Sequence, residues 1–544
     1  MKVSLKIASI ALLFVVNSLS NGICNAAAID WVTSDTSVVL RKDGQIVWHF
    51  NAIGSSKPYF HPLCIAGSNP LTMPKPADHP WHLAHWFSWK YINGVNYWEE
   101  NKKGESDGLT AVKNWQHECR DDGSATITMS LDYQPRTTTA PVLSEKRTIT
   151  ISAPTADGAY TLDWTQDFTA EQDVTLDRSP VPGEPNGFSW GGYAGLSVRF
   201  SNDLKDVQTS FGGKAELKKR DGADVMDVYH CPAAEMSGVL DGKEYGIAII
   251  PSPQNHGFGN WYVIQGKDFL YYSPAVLLSG AYSLKKGEHF SLQHRVCVHK
   301  GRWDAKRLTK EAEKLASRPK ILILSGSNNH DWQATTPFIQ QIYARASQFA
   351  VDVTHRPDTI HPRMLAAYQA VVSNWNAFPK QSGLWNAAAK QALQDFIRKG
   401  GGFVCIHAAS ATHYDWSAYL QFAGGRWGDK THHGAIHNFN VQISNPKHPI
   451  TKGIQPFVIK DELWVDLECD PSAEILCAAR AEEYAGQPDK LEPVALVTHY
   501  GKGRGFYLVL GHDVAAMSSR HWQTLLLRGT NWVAKMDTNK SEAL

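Results

Sequence analysis

The sequence is short of cysteine, of net charge and of long apolar runs. Eight cysteines are scattered over 544 residues with no CxxC pair. One of them, Cys24, lies in an apolar leader, and the odd remainder cannot all pair within the chain, so neither a disulfide scaffold nor a zinc ribbon is expected. Lys and Arg number 54 against 53 Asp and Glu, with no basic stripe. That balance excludes the electrostatic footprint of a nucleic-acid binder and suits a neutral or weakly charged ligand. Beyond the leader no stretch approaches the ~20 apolar residues of a membrane span.

The leader has the form of an export signal: Lys2 and Lys6, an apolar run from Ile7 to Val16, then Ala26, Ala27 and Ala28 as a cleavage site. Residues 1–28 are therefore expected to be removed and the chain to act in the periplasm or outside the cell. Ile23 ahead of Cys24 argues against lipid attachment. The remaining length calls for at least two domains.

What the chain has in quantity is Trp (19) and His (23). Trp serves core packing and also stacks on the C–H faces of sugar rings. Residues 29–301 read as all-β, with period-two alternation in Ala125–Tyr133, Lys146–Ser152, Tyr160–Phe168 and Tyr245–Ile250. An antiparallel sandwich is expected. Residues 302–318 read as a helical linker, with Leu308, Ala312 and Leu315 at helical spacing and Pro319 as the stop.

From 319 to 536 the pattern becomes α/β. Lys320–Ser325, Ala350–His355, Ala370–Asn374, Phe403–His407, Val494–Thr498 and Gly505–Leu510 read as buried strands, alternating with helices over Thr336–Phe349, Ala387–Lys399 and His521–Ala534. A doubly wound parallel sheet is expected, with ligands beyond the C-terminal strand ends. A disordered tail over 537–544 completes the chain. The strand ends deliver Asn329, His330 and Trp332; Trp375 and Asn376; His407; and His512 and Asp513. Imidazoles at several ends of one sheet point to a site. If they serve one chemistry, they must lie within ~10 Å of one another.

Ser325–Trp332, Gly400–Ala409, Asp461–Trp464, Tyr500–Gly505 and Gly511–Asp513 together resemble the ThuA (trehalose-utilisation) family, a branch of the class I glutamine-amidotransferase-like fold. The resemblance implies a carbohydrate substrate. Where true amidotransferases present a Cys nucleophile this chain has His407, and Cys405 points into the strand packing, so glutamine hydrolysis through a thiolate is not expected. His407, His512, Asp513, Glu462 and His330 are the catalytic candidates for acid–base work. Trp427, with Asn329, Trp332, Trp375 and Asn376, would bind substrate. A divalent metal is a candidate cofactor through His433 and His407 with Glu462, although no ligand signature such as HExxH is present.

In the first half, Asp78–Trp89, Asn93–Glu99, Trp190–Leu196 and Asn255–Gly257 resemble the PmoA-like family, with Trp81, His82 and Leu83 where that family has histidines and an Arg. The resemblance implies a sandwich related to sugar mutarotases. Asp78, His79, His82, Trp86, Trp98, Trp190 and His256 are the expected lining of a sugar pocket. The functional expectation is an exported enzyme of glycoside or disaccharide catabolism, acting on a trehalose-like or 3-keto sugar by hydrolysis or elimination. The alternative is a non-catalytic sugar-binding protein. Sugar, linkage and oligomeric state are not written in the sequence.

Overall fold

The computed structural model describes residues 28–346, 348–379, 384–481 and 490–538. Residues 1–27 of the stretch expected to be an export signal, and residues 539–544 of the expected tail, lie outside the described residues. No helix among the described residues is long and apolar enough to cross a membrane.

The N-terminal half is all β. A ten-stranded and an eight-stranded antiparallel sheet face each other across one core that includes Trp48, Phe60, Ile127 and Trp164. Strand Tyr160–Ala170 shows why: its residues alternate strictly between buried and half-buried, as a pleated strand with one face on the core must. It pairs with Leu143–Ile151 and with His289–Lys300, placing Trp164 opposite Ile149 and His294.

The helix expected as a linker spans Ala305–Ala316, capped by Asp304, whose carboxylate accepts from the Arg307 N–H at 2.7 Å. It is docked rather than free. Leu308 and Ala312 pack with Ala248, Ile250, Cys297 and Trp303 of the sandwich, so the change of architecture falls after this helix. Across that boundary Arg345 Nη1 meets the Glu118 carboxylate at 2.7 and 2.9 Å.

In the C-terminal half, strands Ala350–Thr354, Lys320–Leu324, Ala370–Ser373, Gly402–Ile406 and Gly503–Leu508 lie side by side in that order and parallel. Ile321 and Ile323 pack beneath helices Trp332–Ala346 and Arg520–Val533, whereas Leu322 and Leu324 pack toward Ala387–Arg398 and Ser417–Ala423. Burial on both faces explains the uninterrupted apolar run, at about 1.5–3 kcal/mol for each buried side chain. Gly402 is required by close approach, since a Cβ there would sit 2.8 Å from the backbone of Val533.

The sheet is mixed, not wholly parallel as expected. After Gly503–Leu508 it continues antiparallel through Glu492–Tyr500, Glu474–Ala479, His437–Ile443 and Phe457–Asp461. The two-residue link Gly501-Lys502, with Gly501 at φ +60°, joins two of these strands as a tight hairpin, which parallel neighbours cannot use. The antiparallel extension carries Asp461 and Glu462 to the same edge as the parallel strand ends.

Candidate functional site

Glu462 is the focus of this edge. Its Oε2 lies 3.4 Å from His407 Nε2 and 4.0 Å from His330 Nε2; its Oε1 lies 3.0 Å from His433 Nδ1 and 4.0 Å from His512 Nε2. The ring centroids of His330, His407 and His512 are 4.6–5.8 Å apart, well inside the ~10 Å that shared chemistry demands. Trp464 Nε1 donates to Glu462 Oε2 at 2.9 Å.

Each group is positioned by its backbone. His407 follows strand Gly402–Ile406 and opens a 3₁₀ turn with φ +43°, a left-handed conformation that costs a non-glycine residue about 1–3 kcal/mol and that surrounding bonds must hold. Tyr507 donates its hydroxyl to the His407 carbonyl at 2.9 Å, and Tyr419 to the Ala409 carbonyl at 2.7 Å. Asp461 is fully buried and accepts three backbone N–H groups: Glu462 at 2.8 Å, Gly511 at 2.7 Å and His512 at 3.1 Å. One carboxylate thus ties the Glu462 loop to the His512 loop. Burial raises the Asp461 pKa, against His407 and those N–H groups, which lower it.

The proton positions follow from the network. His407 Nδ1 faces the Val509 carbonyl at 2.7 Å, which can only accept, so Nδ1 carries hydrogen and Nε2 points at Glu462. Asn328 donates through Nδ2 to the Asn374 carbonyl, which leaves its Oδ1 to accept from the His330 backbone N–H and from Asn376 Nδ2. His330 Nδ1, 3.3 Å from that oxygen, therefore donates as well. Burial, with the imidazoles of His407 and His512, holds the His330 pKa down to about 3. For Glu462 burial acts upward, but the imidazoles of His407 and His433 and the hydrogen bond from Trp464 outweigh it and bring the carboxyl to about 2. The centre is an ionised carboxylate among imidazoles.

Above it lies a cavity of about 100 Å³ lined by Asn329, His330, Phe378, Trp427, His433 and Glu462, among others. That is the space of roughly three waters, enough for the reacting edge of a sugar. His433 turns toward Glu462 because it pairs with Trp464 across a short ladder; His432 Nδ1 turns to the Lys430 carbonyl.

Several residues expected at this site are elsewhere. Asn376 is fully buried and spends its amide on Asn328, Asn329 and the Ala408 carbonyl, bonds that hold the loops together. Trp375 is buried against Trp385 and His413. Trp332 opens a helix and packs on His355. Asp513 caps the helix Val514–Met517 through Oδ1, leaving Oδ2 3.6 Å from His512 Nδ1. Cys405 is buried in the strand packing, and burial pushes its thiol pKa far up. The sequence reading passed over Phe378 and the partner role of Trp464. A Trp two residues from the chosen carboxylate was the available signal.

The N-terminal half has a larger cavity, about 450 Å³, lined by His79, Trp81, His82, Trp98, Glu99, Trp190, Tyr193, Tyr262, Ile264, Phe269 and Tyr271. This lies in the ~300–1,000 Å³ range of small-molecule pockets. His82 stacks on Tyr271, and burial holds its pKa well below the usual value. Trp190 stacks on Phe188 at 4.5 Å and is 45% exposed, forming a rim. Trp86 is fully buried behind His82, and Asp78 pairs with His79 and Arg199 outside the lining. His256 stacks on Tyr282 away from the cavity. Tyr262 and Tyr271, on strands Trp261–Gln265 and Leu270–Pro274, were not expected because such apolar strands read equally well as core, nor were Tyr193 and Phe269, which lie in loops beside strands.

Comparison with known proteins agrees with the division into halves. Residues 320–533 match the profile of the trehalose utilisation (ThuA) family. Among solved structures, a ThuA-like protein from Parabacteroides merdae is 25% identical, with a TM-score of 0.36 over 40% of this chain and 90% of that one. A ThuA-like protein from Bacteroides uniformis is 21% identical, with a TM-score of 0.33 over 41% and 94%. A glutamine amidotransferase from Thermotoga maritima is 13% identical, with a TM-score of 0.26 over 41% and 88%. No curated protein matches the chain. The likeness of the first half to PmoA-like proteins stays a resemblance of its motifs. The profile that matches there covers residues 37–313, just over half of the 544, and the chain belongs to that family, described as a family of unknown function (DUF6807).

Proposed function

We propose that this protein is an exported enzyme acting on a glycoside or keto-glycoside, with its acid–base centre at Glu462. The observation that carries the reading is one buried, ionised carboxylate facing four imidazoles, which with His330 and His433 lines a cleft walled by Trp427 and Phe378. Binding alone needs stacking and hydrogen bonds; imidazoles converging on a carboxylate suit proton transfer. His512 and His433 face Oε1 and are the more exposed pair, and they exchange protons with a sugar hydroxyl or with the carbon beside a carbonyl. On the Oε2 side His330 borders the cavity, and His407 Nε2 lies buried behind it against Glu462. The ThuA match over residues 320–533 supports a carbohydrate substrate.

A second reading, sugar binding without catalysis, is favoured by the aromatic cavity of the first half. The two are separated by substituting His512→Ala and His79→Ala singly and assaying both variants against a panel of glycosides and keto-glycosides. On the enzyme reading His512→Ala abolishes turnover and leaves sugar affinity in the first half intact. A panel that is bound through His79 but never turned over supports the second.

A further inference from the structure

We infer that His330, His407 and Glu462 form a binding site for a divalent transition-metal ion, of which Zn²⁺ is the natural probe. This deepens the reading of the cleft as the working site and rests on it. Both imidazoles have their Nδ1 hydrogen committed, His407 to the Val509 carbonyl at 2.7 Å and His330 to Asn328 Oδ1 at 3.3 Å. In that tautomer each ring presents its Nε2 lone pair, and both nitrogens face the same carboxylate oxygen, at 3.4 and 4.0 Å.

Three acceptors converging with no hydrogen between them repel one another, and a cation relieves this. His407 Nε2 is the telling atom: its side chain is 3% exposed, and the nitrogen is buried with no hydrogen-bond partner, a condition that costs about 1–3 kcal/mol unless something is bound there. The ligand atoms all lie within 4.8 Å of one another, against ~3.3 Å for adjacent ligands 2.0–2.1 Å from a tetrahedral zinc. Binding would draw these atoms together by up to about 1.5 Å. Two imidazole nitrogens and a carboxylate oxygen, each imidazole oriented by a hydrogen bond on its other nitrogen, form a donor set that suits zinc and its divalent neighbours better than Mg²⁺ or Ca²⁺. The remaining coordination positions open into the cavity beneath Trp427 and Asn329, where a sugar oxygen would enter.

The test is equilibrium dialysis of the chelator-treated full chain against Zn²⁺, with Co²⁺ as a visible-absorption probe. One tight equivalent is expected. His407→Gln and His330→Gln, made separately in case one fails to fold, should each weaken that equivalent by at least ~10–100-fold and remove the tetrahedral Co²⁺ band. Equal stoichiometry and affinity in wild type and both folded variants, or no tight equivalent in wild type, overturns the proposal. Tight binding without turnover of any sugar keeps the metal site and discards the enzymatic reading; turnover undiminished by the chelator, in protein without the tight equivalent, does the reverse.

Discussion

Asp461→Asn measures how firmly the site is held together. The carboxylate is fully buried, and its oxygens take three N–H groups, Glu462 and His512 on Oδ1 and Gly511 on Oδ2. An amide has the same shape but one acceptor. Whichever oxygen becomes NH₂, a donor then faces at least one backbone donor. Losing one charge-assisted bond and leaving a buried N–H unsatisfied costs about 2–3 kcal/mol. For a domain of this size, at about 2–4 °C per kcal/mol, the C-terminal transition in scanning calorimetry should fall by about 5–10 °C. Burial alone favours a protonated carboxyl here, and a protonated acid resembles an amide. An Asp461→Asn variant that melts within ~1 °C of wild type would therefore show that the acid is neutral and that the three-donor clamp is not what joins these loops.

Two further perturbations follow from the first half. Burial raises the Glu235 pKa from 4.5 to about 7, while neighbouring His299 is held down to about 4 and so does not neutralise it. A raised carboxyl pKa means that Glu235's contribution to stability is complete below pH 4.5 and is lost as pH rises through 7, a change of about 3 kcal/mol. Glu235→Gln should remove that slope, and urea midpoints at pH 5 and pH 8 check it. At the cavity rim, Trp190→Ala removes an exposed stacking face and should weaken sugar affinity by about tenfold, on the scale of ~1.4 kcal/mol for an aromatic contact, as read by tryptophan-fluorescence titration. Unchanged affinity would move the sugar away from that cavity.

The sequence revealed most of what depends on period. Lys320–Leu324 and Tyr160–Ala170 are plain because burial on both faces, or on one, writes itself into every residue or every second residue. Strand direction is not written that way: Glu492–Tyr500 looks like its parallel neighbours, and only the Gly501-Lys502 hairpin betrays its reversal. The imidazoles at the strand ends were legible because topology places all such ends on one edge. Which aromatic side chains join them was not, because Trp375 and Trp427 differ only in where their loops turn. Asn376 reads as a ligand-binding amide, yet three acceptors within its own loops already consume it.

The most direct measurement of the central claim is the turnover of a glycoside and keto-glycoside panel by wild type and by Glu462→Gln, with circular dichroism confirming the fold of each. Removing the charge on which four imidazoles converge should lower turnover by at least ~100-fold, the scale of a lost acid–base group. Turnover of any sugar at the same rate by both proteins would contradict the account.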